Sequence, residues 1–539
     1  MALITSLLSM GGIWPPLVAS FAVYNIYLFI YRRYFHPLSH IPGPFLNSFS
    51  YLPYLYYQGI LEGQLMHVLP KWHEKYGPIV RLTPSSLHLS NPAHYETLYT
   101  SSVSTRFYKD PSFYGPMQGP LKTPIILTVI SNEAHRARRV PLSPFFSRRE
   151  VLGLEGIVRD KMGRVIHLME EAFGTGTGTG TGKGNEKGEF DAHRAMRAVS
   201  VDIITEYAYG ESWEQLGKGD WGQGYQDAIR AVQLLFPWFQ TFPFLLPIFG
   251  MIPDWVNVKL VPAFGKWFES LETVKAAVAR VRKEISLGVQ PSRRTIFHEL
   301  MDPAEGVEGS DEMDKKEKPA LSDEIVFADA VNLTGAGAET TGATACRALF
   351  EVVSSPGVYK RLREELVEAI PVFEMDSISL VELEKLPYLT GVVKEALRLS
   401  PGLPGHLPRV VPAGGATFDG YAVPPGTVVS MSAWQMHHNP DLFPEPERFD
   451  PARWMGDDQD AVWARERCLV SFGRGQRNCI GQNLAMCELY YAVAAVIRRW
   501  DDLEVHPDFG REDLQLVELL LGYHPKSSRK LRFIRSQHV

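Results

Sequence analysis

Ten residues constrain this chain most: Phe472-Gly473-Arg474-Gly475-Gln476-Arg477-Asn478-Cys479-Ile480-Gly481, set directly before an apolar helical pattern over residues 483–498. Glycines at this density let the backbone turn tightly and approach a flat ligand. A cysteine at a helix N-terminus meets unpaired N–H groups and the positive end of the helix dipole, which favour its thiolate. Arg477, two residues earlier, suits an anionic group on the same ligand. The other cysteines, Cys346, Cys468 and Cys487, are too few and too irregularly spaced for a disulfide framework or a paired zinc site. They read as small buried hydrophobes in a reducing compartment.

The chain has 539 residues, 45% of them hydrophobic and 22% charged, enough to enclose a large core and a cofactor. No long linker divides it after the N-terminal region, so one large catalytic body is expected over residues 47–539. The net charge of −6 is scattered, which argues against a nucleic-acid partner. Residues 1–31 hold no Asp, Glu, Lys or Arg, and the stretch 13–31 approaches the ~20 residues that cross a bilayer. Pro15 and Pro16 weaken its first turn. No basic residues precede it, and Tyr, Phe and Ile stand where a cleavage site needs small residues, so a signal anchor over 1–33 fits better than a cleaved peptide. Arg32 and Arg33 then place everything downstream in the cytosol. Residues 34–46, with Pro37, Pro42 and Pro44, read as a stiff hinge.

Short strands are expected at 79–82 and 87–89, and helices over most of the remainder. The Gly-Thr repeat at 174–188 and the charged stretch 302–318 read as surface loops. Residues 234–255 are apolar but broken by four prolines, so they form no single helix; they read as a buried loop core or a lipid-dipping substrate entrance.

Ser322 caps a helix whose first turn holds Asp323 and Glu324 and which continues into Ala336-Gly337-Ala338-Glu339-Thr340-Thr341. Gly335 and Gly337 cost about 1 kcal/mol each against Ala, so a ligand or a helix crossing must press on them. Mid-helix threonine hydroxyls bond the carbonyl one turn earlier and bend the helix, and Glu339 adds a titratable group. His135 and Arg139, at i and i+4, fit a helix that points two donors at an anion, with Arg136 and Arg138 on a solvated basic face. Glu395 and Arg398 share one face of a helix that ends before Pro401.

The decapeptide matches Phe-x-x-Gly-x-Arg-x-Cys-x-Gly at every fixed position and resembles the haem-binding signature of the cytochrome P450 family. The resemblance spans residues 42–533 and implies the family's mainly α fold with small β-sheets, here with an N-terminal transmembrane helix. It implies haem b with Cys479 as the iron ligand, and Phe472, Gly473, Arg477 and Gly481 lining the cofactor. His135, Arg139 and Arg409 become its propionate partners, although the family more often carries Trp where His135 stands. Glu339 and Thr340 match its acid-alcohol pair, which delivers protons to dioxygen. Glu395 and Arg398 match Glu-x-x-Arg, and Pro446-Glu447-Arg448-Phe449 resembles the segment that supplies a third member, Arg448, to a buried network.

The resemblance further implies a membrane-bound monooxygenase of the endoplasmic reticulum, supplied with electrons from NADPH by a separate cytochrome P450 reductase. Residues 106–124, 234–255, 334–341 and 401–406 would contact a hydrophobic small molecule, and the stretches 143–147 and 400–409 look most like fungal members of secondary metabolism such as the trichodiene oxygenase group. A haem-thiolate isomerase or dehydratase, or a non-catalytic haem carrier or sensor, are the alternatives. The Glu339–Thr340 pair favours the oxygenase.

Overall fold

The protein, seen in a computed structural model, is described over residues 14–100, 107–119, 121–174, 188–289, 291–302, 321–374, 378–523 and 530–536. Most of the Gly-Thr repeat and the charged stretch after 302 lie outside the described residues. The chain is mainly helical with small sheets, as expected.

The first described helix, α1 (Trp14–Ile30), carries no charge and exposes its side chains from Val18 to Tyr27, Phe21 at 70% and Val23 at 67% among them, while Phe29 packs against Phe45 and Phe49. Its 17 residues reach about 25 Å at the α-helical rise, short of the ~30 Å hydrocarbon layer. Among the described residues no helix is long and apolar enough to cross a membrane. The segment that follows is seated on the body: Leu38 and Ile41 are buried, and Arg81 donates its backbone N–H to Pro42.

Six further helices position the site. They are α2 (Asn132–Leu142), α3 (Glu155–Ala172), α4 (Ala192–Tyr209), α5 (Asp323–Val353), α6 (Pro387–Leu399) and α7 (Gln482–Arg499). Ser322 caps α5 as expected, its hydroxyl accepting from the Ile325 N–H. Almost every residue of α7 from Cys487 to Ile497 is buried among α3, α5 and α6, which fixes the main core. Helices α4 and α5 approach closely where small residues allow it. A Cβ on Gly342 would stand 2.8 Å from the Arg197 backbone, and one on Gly337 would stand 3.2 Å from Ile204. The helix crossing therefore accounts for Gly337.

A five-stranded sheet comprises β1 (Ile79–Thr83), β2 (Ser86–Leu89), β3 (Tyr108–Lys109), β4 (Arg409–Val410) and β5 (Val428–Ser430), in the spatial order β1-β2-β5-β4-β3. Its β3–β4 register sets Lys109 directly opposite Arg409. A two-stranded ribbon pairs β6 (Val517–Glu518) with β7 (Gly522–Tyr523). The proline-broken stretch near 234–255 forms the short helices Phe236–Thr241, Leu245–Met251 and Asp254–Leu260, with Phe244, Ile248, Met251, Trp255 and Leu260 exposed.

The network around Glu395 corrects the sequence reading. Glu395 and Arg398 are fully buried and bidentate, with Arg398 Nε and Nη2 at 2.9 and 2.7 Å from the two carboxylate oxygens. The third member is Arg453, whose Nε lies 3.2 Å from Glu395 Oε1, and the Trp454 indole and the Asp450 N–H donate as well. Arg448 contributes only its carbonyl, to Arg398 Nη2; its side chain is 63% exposed and pairs with Glu445. The chain turns at Glu445, which has positive φ, so the first Pro-x-Arg stays on the surface and the second, Pro451-Ala452-Arg453, enters the core.

Glu488 of α7 is a separate buried carboxyl, held by the Ser200 hydroxyl at 2.8 Å. Burial pushes its pKa up from 4.5 to about 8, with the serine hydrogen bond pulling the other way. The folded chain therefore keeps this proton through a pH window in which the unfolded chain gives it up. Stability is withdrawn as pH rises from 4.5 toward 8, and the loss stops once both states are ionised.

Two predictions follow from these networks. Arg453→Ala should cost about 3 kcal/mol in denaturant unfolding, because it removes one of the two cations on a buried carboxylate, whereas Arg448→Ala should leave the unfolding midpoint where it is. Glu488→Gln should match the wild type near pH 5 and exceed it by a few kcal/mol, on the order of 3, at pH 7. Parallel pH profiles for the two proteins would remove that assignment.

Candidate functional site

The cysteine loop is built from tight turns. Gly473 and Gly475 both have positive φ, and a Cβ on Gly475 would lie 2.3 Å from the Tyr99 carbonyl, so only glycine fits there. The Cys479 N–H closes the loop on the Phe472 carbonyl at 2.7 Å, and Phe472 packs against the main core. Gly481 caps α7 and turns its N–H toward the Cys479 sulfur. Cys479 lies deep within the fold and yet, alone among the free cysteines, has an exposed side chain; Cys346, Cys468 and Cys487 are buried as expected. Burial pushes the Cys479 thiol up, and the Gly481 N–H and the nearby Arg139 pull it back down.

Three contacts lock this loop to the Glu395 network. The Ser471 hydroxyl donates to the Leu397 carbonyl at 2.8 Å. The His437 ring bridges the Arg398 carbonyl, 2.9 Å from Nδ1, and the Val470 N–H, 2.9 Å from Nε2. Burial first and the Arg398 charge second hold His437 down to about 3, so it is a neutral imidazole that donates at one nitrogen and accepts at the other.

Beside the loop, cations converge. Arg139 of α2 donates from Nη1 to the Asn478 carbonyl at 2.6 Å and from Nη2 to the Asn478 side chain at 2.7 Å. Arg477 donates to the carbonyls of Val129, Ile130 and Ser131 and to Asn132. Arg409 donates to the Tyr114 hydroxyl at 3.0 Å and lies over the Tyr99 ring. His135 is buried in the same place. These hydrogen bonds all end on neutral oxygens, and the cations depress one another. After burial itself, Arg477 leads the charges that lower His135 to about 3, and Arg409 leads those that lower Arg477 to about 10. The sequence reading missed Lys109, which is buried, bonds the Leu127 carbonyl and sits 4.4 Å from the Tyr114 ring centroid. A lysine in a two-residue strand carries no sequence signal; only the register opposite Arg409 shows it. Positive charge gathered this way suits a ligand with carboxylates.

Arg138 is not on a solvated face. It is buried and forms an ion pair with Asp329 of α5, while Arg136 is exposed as expected. On α5, Ala336 is exposed between the buried pairs Leu333-Thr334 and Ala338-Glu339. The Thr340 hydroxyl bonds the Ala336 carbonyl at 2.9 Å, the one-turn-back contact expected of it. Glu339 is buried against Arg197 of α4, with Oε1 2.5 Å from Nε. The loop after α6 closes on this segment, so that a Cβ on Gly402 would stand 2.9 Å from Thr340. The structure thus brings Cys479, Arg139 and Arg477 together, with His135, Lys109 and Arg409 alongside, and gives Glu339 and Thr340 of α5 separate partners, Arg197 on α4 for the first and the Ala336 carbonyl for the second.

Residues 42–526 match the cytochrome P450 family model. Among curated proteins the chain is 32% identical to conidiogenone synthase PchP450 of Penicillium rubens, covering 88% of this chain and 89% of that protein. It is 33% identical to the cytochrome P450 monooxygenase oblB of Cochliobolus heterostrophus, covering 88% and 87%. It is 29% identical to N-acetyltryptophan 6-hydroxylase ivoC of Emericella nidulans, covering 92% and 94%. With this agreement along nearly its whole length, and a cysteine loop that matches at every fixed position, the chain belongs to the cytochrome P450 family of monooxygenases.

Proposed function

We propose that this protein is a haem-thiolate monooxygenase that inserts oxygen from dioxygen into a hydrophobic small molecule of fungal secondary metabolism, a terpenoid or polyketide skeleton. One observation carries the reading: an exposed thiol in the interior shares Arg139 and Arg477 with a cluster of cations whose hydrogen bonds end on neutral oxygens. Haem b, with a thiol-seeking iron and two propionates on one edge, fits that pair of features. Cys479 would hold the iron, and His135, Arg139, Arg409 and Arg477, joined by Lys109, would hold the propionates. Phe472, Gly473 and Gly481 would shape the thiol side.

When bound, the haem supplies dioxygen activation and oxygen insertion. The chain's own task is to bring protons and keep water in order. The Thr340 hydroxyl, which bonds the Ala336 carbonyl, would pass a proton from the α5 face, and Glu339, which pairs with Arg197, would be the acid behind it. Electrons come from NADPH through a separate reductase. The relatives named as monooxygenases and hydroxylases support the oxygenase over an isomerase, a dehydratase or a carrier, as does the presence of the acid-alcohol pair.

Membrane attachment belongs to the same reading. The uncharged residues 1–31, the apolar side chains exposed on α1 between Val18 and Tyr27 and the exposed Phe244, Ile248, Met251 and Trp255 support a single-pass anchor in the endoplasmic reticulum, with the body in the cytosol and these four side chains dipping into lipid.

The reading is tested with haem-loaded protein, NADPH, a cytochrome P450 reductase and isotopically labelled dioxygen, using terpenoid and polyketide compounds with and without a hydroxyl group. The expected result is one labelled oxygen atom in the product, dependent on the reductase. Thr340→Ala should bind haem normally and still consume NADPH, but form product at least about tenfold more slowly and release hydrogen peroxide instead. Full coupling in Thr340→Ala would remove its role, and reductase-independent turnover would replace the oxygenase with an isomerase.

A further inference from the structure

A narrow crevice collects apolar side chains from three of the segments expected to meet substrate, with Phe113 and Met117 from one, Phe236 from another and His406 from the loop after α6; Tyr54, Leu519 and Leu520 complete it. The loop that carries His406 also holds Gly402 against Thr340, and the Gly402 carbonyl accepts from the Gly522 N–H at 2.9 Å. The β6–β7 ribbon is thereby hung from the same loop that packs on α5. Phe113 adjoins Tyr114, which bonds Arg409. Two of the crevice's segments therefore also carry residues that touch the proposed haem site, Tyr114 at Arg409 and Gly402 at Thr340.

Into this apolar wall the chain sets one carboxylate. Glu518 of β6 is only 4% exposed, as is His406. Its Oε1 accepts twice from the same residue, from His406 Nδ1 at 2.9 Å and from the His406 backbone N–H at 3.2 Å. Its Oε2 is buried and has no hydrogen-bond partner. The local backbone is cut to admit the carboxylate: a Cβ on Gly405 would lie 1.8 Å from Glu518 Oε1, and the Glu518 N–H is pinned to the Gly63 carbonyl at 3.0 Å. The neighbouring polar groups are already engaged, since the Tyr54 hydroxyl donates to Gln240 and Gln240 donates to the Phe113 carbonyl. A pair serving stability alone would use both carboxylate oxygens, because a buried acceptor left without a donor is costly. Here one oxygen orients the group and the other is left for something that enters the crevice.

We propose that Glu518, positioned by His406, is a specificity-determining residue whose free oxygen accepts a hydrogen bond from a hydroxyl group on an otherwise apolar substrate. The substrate then arrives already oxygenated, from an earlier alcohol-forming step, and the carboxylate disfavours carboxylic acids and bare hydrocarbons. This inference rests on the monooxygenase reading, which makes the crevice part of a substrate pocket.

The test uses the full-length, haem-loaded protein and three matched probes, 1-dodecanol, 2-dodecanone and dodecane, followed by isothermal calorimetry and by the haem spin-state change. Wild type should bind the alcohol about tenfold more tightly than the ketone or the alkane. Glu518→Gln keeps an oxygen for His406 and turns the free position into an N–H donor, so the ketone should overtake the alcohol. An unchanged order in Glu518→Gln, equal affinity for alcohol and alkane in wild type, or no binding of any probe would overturn the anchor and assign the free oxygen to ordered water. Should Glu518→Gln fail to fold, the wild-type order alone decides. A wild type that takes up no haem would instead overturn the monooxygenase reading, and calorimetry, which needs no haem, separates the two failures.

Discussion

Arg398 sits fully buried with its guanidinium clamped on Glu395 and reaching the carbonyls of His437, Pro446 and Arg448. A charge in that position is tolerable only because every donor is used. The consequence runs outward from it. The His437 ring joins the Arg398 carbonyl to Val470, Ser471 is tied to Leu397, and the loop from Val470 to Gly481 is carried as one piece with α6. The position of the Cys479 sulfur thus follows from an ion pair that never meets the substrate. Arg139 holds the same loop from the opposite side through Asn478, and in doing so links the thiol to the cation cluster.

The site divides into a rigid half and a polar-lined apolar half. On the rigid side, burial and mutual repulsion lower the pKa values of His135, Lys109 and Arg477, a cost that a bound dianion would offset. The α5 side is shaped by packing against α4, where Arg197 meets Glu339 and the missing side chains of Gly337 and Gly342 let the helices close. Glu339 and Thr340 are therefore positioned by contacts of α5, independently of the cysteine loop. The crevice around His406 and Glu518 adds a third element.

Much of this was legible in the sequence because it is encoded locally. The cysteine loop, the Ser322 cap, the strands near 79–89 and the proline-broken stretch after 234 all depend on residues close in the chain. What failed depends on long-range choices. Two Pro-x-Arg segments stand five residues apart, and nothing local shows that the turn at Glu445 leaves Arg448 outside and sends Arg453 in. The pattern Arg136-Arg138 looks like one solvated face until Asp329 of α5 supplies a partner for the second residue. Lys109 and Glu518 are isolated charges in two-residue strands, visible only through the register with Arg409 and the contact with His406.

The claim at the centre is that Cys479, held by this network, donates its sulfur to haem iron. The carbon monoxide difference spectrum of the reduced protein reads that bond directly, because thiolate ligation moves the Soret band to long wavelength. Wild type should show the long-wavelength band, and Cys479→Ala should lose it while the buried network still folds. A wild-type band at the shorter wavelength of nitrogen ligation, or a long-wavelength band that survives in Cys479→Ala, would contradict the account.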